Sequence, residues 1–206
     1  MFLPKNEVSI LLKEFTSSMS SELKHKTDFM LSLFDTDDWS MIIKSHALIE
    51  SIVTELIIAK TEEPNLKMLI ERLPLSDEQI GKLKIAKDYN ILTKEQRKFI
   101  RHLSELRNMI VHKFENVDFN FNEYVKSFDR NKEKSWLKTI IWYSNEKEIE
   151  EKWEKISIEN PIFGLWFSIM MFVSLTIISV KELEGSTEIK KLSEETLDKL
   201  FKSDIL

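Results

Sequence analysis

The chain has 206 residues, 42% apolar and 32% charged, which is enough for one domain with a buried core and excludes wholesale disorder. Its formal net charge of −5 disfavours a broad surface for nucleic acid or anionic lipid but permits a local basic cleft. The absence of cysteine excludes disulfides, thiolate zinc sites and thiol catalysis, and suits a reducing cytoplasm.

The residue types predict an all-α fold, because three Gly and four Pro are too few for the tight turns of a β-sandwich or barrel. Apolar residues recur at helical spacing over residues 7–24. Asp38 is predicted to cap a long core helix that carries the isoleucines of 42–57. Pro64 fits the first turn of a short helix, which Pro74 helps to end.

Two capping-box patterns then predict two helix starts. Ser76 with Gln79 opens a helix that is expected to reach Tyr89. Thr93 with Gln96 opens the next helix, which carries residues 107–112. In each pattern the side chain of one residue can satisfy the backbone N–H of the other.

The second half of the chain is less regular. Residues 115–160 are expected to form an irregular insertion, with short strands or loops over 115–133 and helices near 136–142 and 148–156. Asn160-Pro161 predicts another helix start, and a separate amphipathic helix is expected from Ser193. Residues 161–180 contain no charge and are long enough to span a membrane, yet the serines and threonines in them favour a buried helix of a bundle or dimer.

The helix after Thr93 places its polar residues unusually. Projected at about 100° per residue, Arg107 falls within an apolar arc, where a charge must be paired or line a cleft. Asn108 and His112 share an adjoining polar edge. The apolar arc consists of Phe99, Ile100, Leu103, Leu106, Ile110, Val111 and Phe114.

The segment Arg107-Asn108-Met109-Ile110-Val111-His112 resembles the signature of the HEPN superfamily, an Arg, usually a polar residue, and a His after four to six intervening residues. Residues 45–112 are similar to its mannitol-repressor-like branch, with a His-Ala-Leu-Ile-Glu helix, then Lys84-Ile85-Ala86 and Ile91-Leu92. Residues 163–184 look like its following apolar helix. The resemblance covers about half of the chain.

This resemblance implies a single helical-bundle domain with a core of about 38–114 and 161–184, which dimerises so that two motif helices form one cleft. It implies RNA cleavage without metal or cofactor, as in toxins and antiphage effectors, leaving 2′,3′-cyclic phosphate ends. His112 would transfer protons, Arg107 would stabilise the charge on phosphorus oxygens, and Asn108 would orient His112 or the phosphate. An antitoxin or regulatory protein is an expected partner, and Phe114 stands where many such toxins carry a modified Tyr.

Arg97 and Arg101 are candidate substrate-binding residues that would extend the cleft along an RNA backbone, although carboxylates among them also fit a solvated face. His46 and Glu50, four residues apart, form a weak metal-ligand pattern that is better explained as a polar helix edge.

Two other functions stay open. A non-catalytic regulator or scaffold would use Arg107, Asn108 and His112 for structure, with the arginine paired to a buried carboxylate. A membrane-associated helical protein would use 161–180 as its span. The soluble, cytoplasmic interpretation is favoured.

Overall fold

The structure is a computed structural model that describes residues 5–112 and 118–203. Every regular element in these two ranges is a helix, which confirms the predicted all-α class. The α-helices are α1 (Lys5–Phe34), α2 (Asp38–Thr61), α3 (Lys67–Glu71), α4 (Lys82–Asp88), α5 (Lys94–Val111), α6 (Phe121–Lys126), α7 (Arg130–Ile140), α8 (Lys147–Glu159) and α9 (Pro161–Ser203), and a 3₁₀ turn covers Pro64–Leu66.

Helices α2 and α9 form the centre of the bundle. Helix α9 packs along α2, α1 and α8, while α5 and α4 pack on other parts of α2. The side chains that these helices turn inward form one hydrophobic cluster. It includes the fully buried Ile42, Ile49, Ile52 and Ile57 of α2 and Leu165, Ile169 and Phe172 of α9.

The start of α2 differs from the prediction by one residue. Asp37, with extended backbone angles, is the cap, and its side chain accepts the N–H of Ser40 at 2.8 Å. Asp38 instead accepts the N–H of Phe121 at 2.7 Å, across 83 residues of sequence. Two adjacent aspartates fit the cap pattern equally well, and the tertiary contact determines which of them caps the helix.

The predicted helix from Ser76 is wrong at its beginning. Asp77, rather than Ser76, accepts the N–H groups of Gln79 and Ile80, at 2.8 and 2.9 Å, and this closes a turn instead of starting a helix. Helix α4 begins only after Gly81. Aspartate competes for backbone donors in turns as well as at helix caps, so the sequence pattern alone did not separate the two.

The expected irregular insertion is helical where the structure describes it. Residues 118–160 contain α6, α7 and α8, and no strand is present in them. Aromatic side chains attach these helices to α9, as where Trp153 stacks on Phe167 with ring centroids 3.9 Å apart. Gly164 lets α8 approach α9 closely, since a Cβ there would lie 2.8 Å from the Cβ of Ser157.

Helix α9 is continuous from Pro161 to Ser203, so the separate helix expected from Ser193 is not present. It carries the apolar stretch noted in the sequence, and by length and composition its Pro161–Lys199 part would suffice to cross a membrane. Half of its most apolar window is buried among other helices, a property that core helices of soluble bundles share. Leu175 and Ile178 are the large apolar side chains of 161–180 that lie exposed.

Candidate functional site

The three predicted catalytic residues lie at the carboxyl end of helix α5, with Arg107 and Asn108 inside the helix and His112 directly after it. The capping box predicted at its start is confirmed, because the Thr93 hydroxyl accepts the N–H of Gln96 at 3.1 Å and the Gln96 side chain accepts the N–H of Thr93 at 2.8 Å. The helix ends at Val111, and His112 is its C-cap residue. The apolar face that holds α5 against the bundle comprises the buried Phe99, Ile100, Leu103, Leu106 and Ile110.

Arg107 and Asn108 are brought together, and His112 stands apart from them. Arg107 is half-buried, and its Nη1 donates to Oδ1 of Asn108 at 3.0 Å. Asn108 and His112 are exposed, and within the described residues no hydrogen bond or ion pair joins His112 to Arg107. Phe114 lies outside the described residues. A single chain therefore presents the arginine and the histidine as neighbours on one helix without a direct contact.

Arg107 has no carboxylate partner in the parts of the chain that the structure describes. The structural interpretation of the motif expected Arg107 to pair with a buried carboxylate. No such pair is present in residues 5–112 and 118–203. An anion bound from solution would stabilise a cation that has no counter-ion among the described residues.

His46 of α2 contacts α5 on the side where Arg107 lies. No pattern in the sequence indicated this arrangement. Its Nε2 lies 3.0 Å from Oγ of Ser104, and that hydroxyl donates its only proton to the carbonyl oxygen of Ile100 at 3.0 Å. The imidazole must then be the donor to Ser104. Neutral His46 carries its proton on Nε2 and leaves Nδ1 as an acceptor.

A buried ion pair lies beside His46. Nζ of Lys82 is 2.9 Å from Oε1 of Glu50, and the Lys82 side chain is only 2% exposed. Glu50 has the i+4 relation to His46 that was noted in the sequence, but no group of three metal-ligating side chains exists in the described residues. The sequence offered no signal for Lys82, because a lysine is usually expected at the surface.

The charge of Arg107 in the motif influences the pKa of His46 in this cluster. Burial is the main cause that lowers the pKa of His46 below its usual 6.5, Glu50 opposes the shift, and the charges of Arg107 and Lys82 add to it. Arg107 therefore lies close enough to His46 to act on its protonation. The polar cluster of His46, Glu50, Lys82 and Arg107 holds one net positive charge when the imidazole is neutral.

His102 occupies the opposite side of α5, towards α7. Burial lowers its pKa below 6.5, Glu105 raises it, and the ammonium groups of Lys98 and Lys132 lower it further. His102 is therefore neutral at pH 7.

The melting temperature is expected to fall as the pH is lowered from 7 towards 5. The unfolded chain binds protons at His46 and His102 near pH 6.5, whereas the folded chain resists them, so their contribution is complete above 6.5 and is lost below it. The check is thermal unfolding at pH 7, 6 and 5 of wild type beside a His46→Gln/His102→Gln variant. The variant should show a shallower decline, and an equal decline would contradict these assignments.

The two candidate substrate-binding arginines lie near the start of α5. The guanidinium of Arg97 donates to the carbonyl oxygen of Leu92, and Nη2 of Arg101 is 2.6 Å from Oε1 of Glu78. Both line a groove of about 530 Å³ between α4 and α5. Its other basic lining residues are Lys84, Lys87, Lys94 and Lys98, against the single carboxylate of Glu78.

The fold and these contacts define an all-α helical bundle with a polar cluster between α2, α4 and α5. Comparison with known proteins finds no matching family model, no matching curated protein and no matching solved structure. The resemblance to the HEPN superfamily therefore continues to rest on residues 45–112 and 163–184.

Proposed function

We propose that this protein is a metal-independent endoribonuclease of the HEPN type, a toxin or antiphage effector that leaves 2′,3′-cyclic phosphate ends. The observation that carries the proposal is Arg107, a half-buried residue whose guanidinium has no carboxylate partner in the described residues and donates to Asn108 at 3.0 Å, five residues before an exposed His112. The phosphate of an RNA backbone would supply the counter-ion that Arg107 lacks among the described residues.

The charges around Arg107 support an anionic ligand. Glu50 is already paired with Lys82 at 2.9 Å, and His46 is kept neutral by burial. Neither group cancels the positive charge of Arg107. A transferred phosphoryl group, whose non-bridging oxygens gain charge in the transition state, fits such a place.

In the proposed reaction the ribose 2′-oxygen attacks the adjacent phosphorus, and the bond from phosphorus to the 5′-oxygen breaks. The 2′-hydroxyl proton goes to a base and a proton is delivered to the departing 5′-oxygen, so no water or metal is consumed in this step. His112 serves one of these two transfers. Arg107 stabilises the charge on phosphorus, and Asn108 keeps the guanidinium in position.

The exposed edge of α5 supports an extended substrate. At about 100° per residue, Lys94, Lys98, Arg101, Asn108 and His112 fall within an arc of about 80°, in which Glu105 is the one carboxylate of α5. A backbone lying along this edge would pass from the basic groove to the motif. Because such contacts release counterions, the affinity for RNA should fall steeply with salt.

The proposed active form is a homodimer in the cytoplasm. Within one chain no described contact joins Arg107 to His112, so a second copy would bring the complementary group to each phosphate. The mass in solution, measured by light scattering, checks this directly. If the protein is strictly monomeric and still cleaves RNA, the proposal that two chains form the active site is wrong.

The experiment is an RNA cleavage assay with wild type, Arg107→Ala and His112→Ala, in the presence of a chelator and with end-group analysis. Wild type should yield 2′,3′-cyclic phosphate, and each variant should be slower by about 100-fold or more. The matched controls are Arg72→Ala and His25→Ala, both exposed and on other helices or turns, which should cleave as wild type does. Intact RNA with wild type, or full activity of His112→Ala, would refute the proposal.

The second candidate is a non-catalytic regulator or scaffold of the mannitol-repressor-like kind that works through protein contacts. The observation that favours it is the separation of Arg107 and His112 within one chain. It predicts a folded wild type that leaves a panel of RNAs intact, and overexpression without a growth defect that His112→Ala relieves.

A further inference from the structure

A second pocket, separate from the polar cluster at Arg107, lies between α5 and α7 and is here called the α5–α7 pocket. It has a volume of about 310 Å³. Helix α5 contributes Lys98, Arg101 and His102 to its wall, α7 contributes Lys132 and Trp136, and Phe128 precedes α7.

The α5–α7 pocket is positively charged in a chain whose net charge is negative. Lys98, Arg101 and Lys132 face a single lining carboxylate, that of Glu105. Arg101 is paired with Glu78 outside the pocket, and neither lysine forms an ion pair within the described ranges. Anions are attracted here although the whole molecule repels them.

One of these cations is held in place before any ligand arrives. Nζ of Lys132 lies 4.1 Å from the ring centroid of Phe128 and 5.0 Å from that of Tyr124. Cation–π contacts of this kind limit the freedom of the ammonium group, which reduces the entropy that binding would cost.

A neutral imidazole with spare hydrogen-bonding capacity and two aromatic side chains complete the wall. The imidazole of His102 makes no hydrogen bond to another described group, and being neutral it offers one donor and one acceptor. Trp136 is 2% exposed and contributes only apolar surface to the wall, because its Nε1 is too buried to reach a ligand. Aromatic side chains next to cations and a neutral imidazole that can donate and accept fit the phosphate and base of a nucleotide.

We propose that the α5–α7 pocket binds a nucleotide unit, with Lys98 and Lys132 on its phosphate and the aromatic wall against its base or sugar. Lys98 precedes His112 by 14 residues, about 21 Å along α5, so this nucleotide lies several positions from the bond that is cut. That the nucleotide belongs to an RNA chain rests on the proposed function. The affinity of the pocket for a nucleotide does not.

The test uses binding rather than cleavage. His112→Ala protein is titrated with a single-stranded oligoadenylate, with adenosine 5′-monophosphate and with adenosine, by calorimetry at low salt. Lys132→Gln in the same background should weaken binding of the phosphorylated probes by about fivefold or more, and adenosine should bind weakest. The matched control is Lys134→Gln, which removes the same charge from an exposed position on α7 outside the pocket and should change affinity less than twofold.

The outcomes separate the sources of the ligand. If Lys132→Gln weakens binding of the oligoadenylate alone, the pocket binds RNA. If it also weakens binding of adenosine 5′-monophosphate, the pocket binds any nucleotide. Equal weakening by both lysine variants, equally tight binding of an oligoglutamate peptide of the same charge, or no binding of any probe would overturn the proposal. If the wild type binds nucleotides but cleaves no RNA, the proposed nuclease activity is refuted and the proposed nucleotide site stands.

Discussion

Replacing Glu50 with alanine is expected to lower the free energy of unfolding by about 3 kcal/mol. The substitution leaves Nζ of Lys82, in a side chain only 2% exposed, with the carbonyl oxygen of Glu71 at 3.4 Å as its remaining partner. Desolvation of an unpaired ammonium dominates the cost. The value falls at the lower end for broken buried pairs because the Glu50 side chain is 35% exposed. Urea unfolding provides the measurement.

The exposed pair of Lys84 and Asp88 in the same region provides the control. Their side chains are 40% and 51% exposed, so Asp88→Ala should change stability by less than about 1 kcal/mol. A Glu50→Ala/Lys82→Met double variant should recover part of the loss, since it removes the buried charge along with its partner. If the double variant were less stable than Glu50→Ala, the cost would lie in packing around Lys82 rather than in its charge.

Gly81→Ala is expected to destabilise the protein by about 3 kcal/mol. The backbone angles of Gly81, φ −81° and ψ 170°, suit any residue, so the reason is space. An added Cβ would lie 2.7 Å from the nitrogen of Asp77 and 2.8 Å from the oxygen of Pro74, and would also meet the carbonyl oxygen of Asp77. All three are backbone atoms, and moving them disrupts the bond from Lys82 N–H to Pro74 at 2.9 Å.

Gly185→Ala in α9 is the matched substitution. There the Cβ would meet ring carbons of Phe15 at 2.9 and 3.1 Å, and a half-buried side chain can turn away at little cost. Alanine also favours the helix by about 1 kcal/mol, so stability should stay within about 1 kcal/mol of wild type. Equal effects of the two substitutions would show that the turn before α4 yields more easily than its hydrogen bonds suggest.

Local patterns predicted those parts of the fold that depend on neighbouring residues. The capping box of Thr93 and Gln96 involves only four consecutive residues, so the local sequence was sufficient to predict the start of α5. Asp38 was misassigned because its contact with Phe121 lies 83 residues away and is not visible in a local pattern. Ser76 was misassigned because the local turn that Asp77 closes uses the same backbone donors as a helix cap. The continuity of α9 past Gly185 was missed because packing against α1 offsets the weak helix propensity of glycine.

The candidate site was predicted along one helix only. The projection of α5 correctly indicated that Arg107 turns partly inward and that Asn108 and His112 lie on an exposed edge. It could not indicate His46 or Lys82, which reach the site from α2 and α4 through tertiary packing. Whether the motif cuts RNA stays a prediction.

The position of α9 in the chain has a consequence for folding order. The indole N–H of Trp166 donates to the carbonyl oxygen of Met30 at 2.7 Å, a contact that closes 136 residues of sequence. Until α9 has been synthesised, the inward faces of α1 and α2 lack the helix that covers both of them. The core therefore closes late, because the chain must first lose the conformational entropy of a long loop. Until then the exposed apolar faces of a nascent chain can associate with other chains.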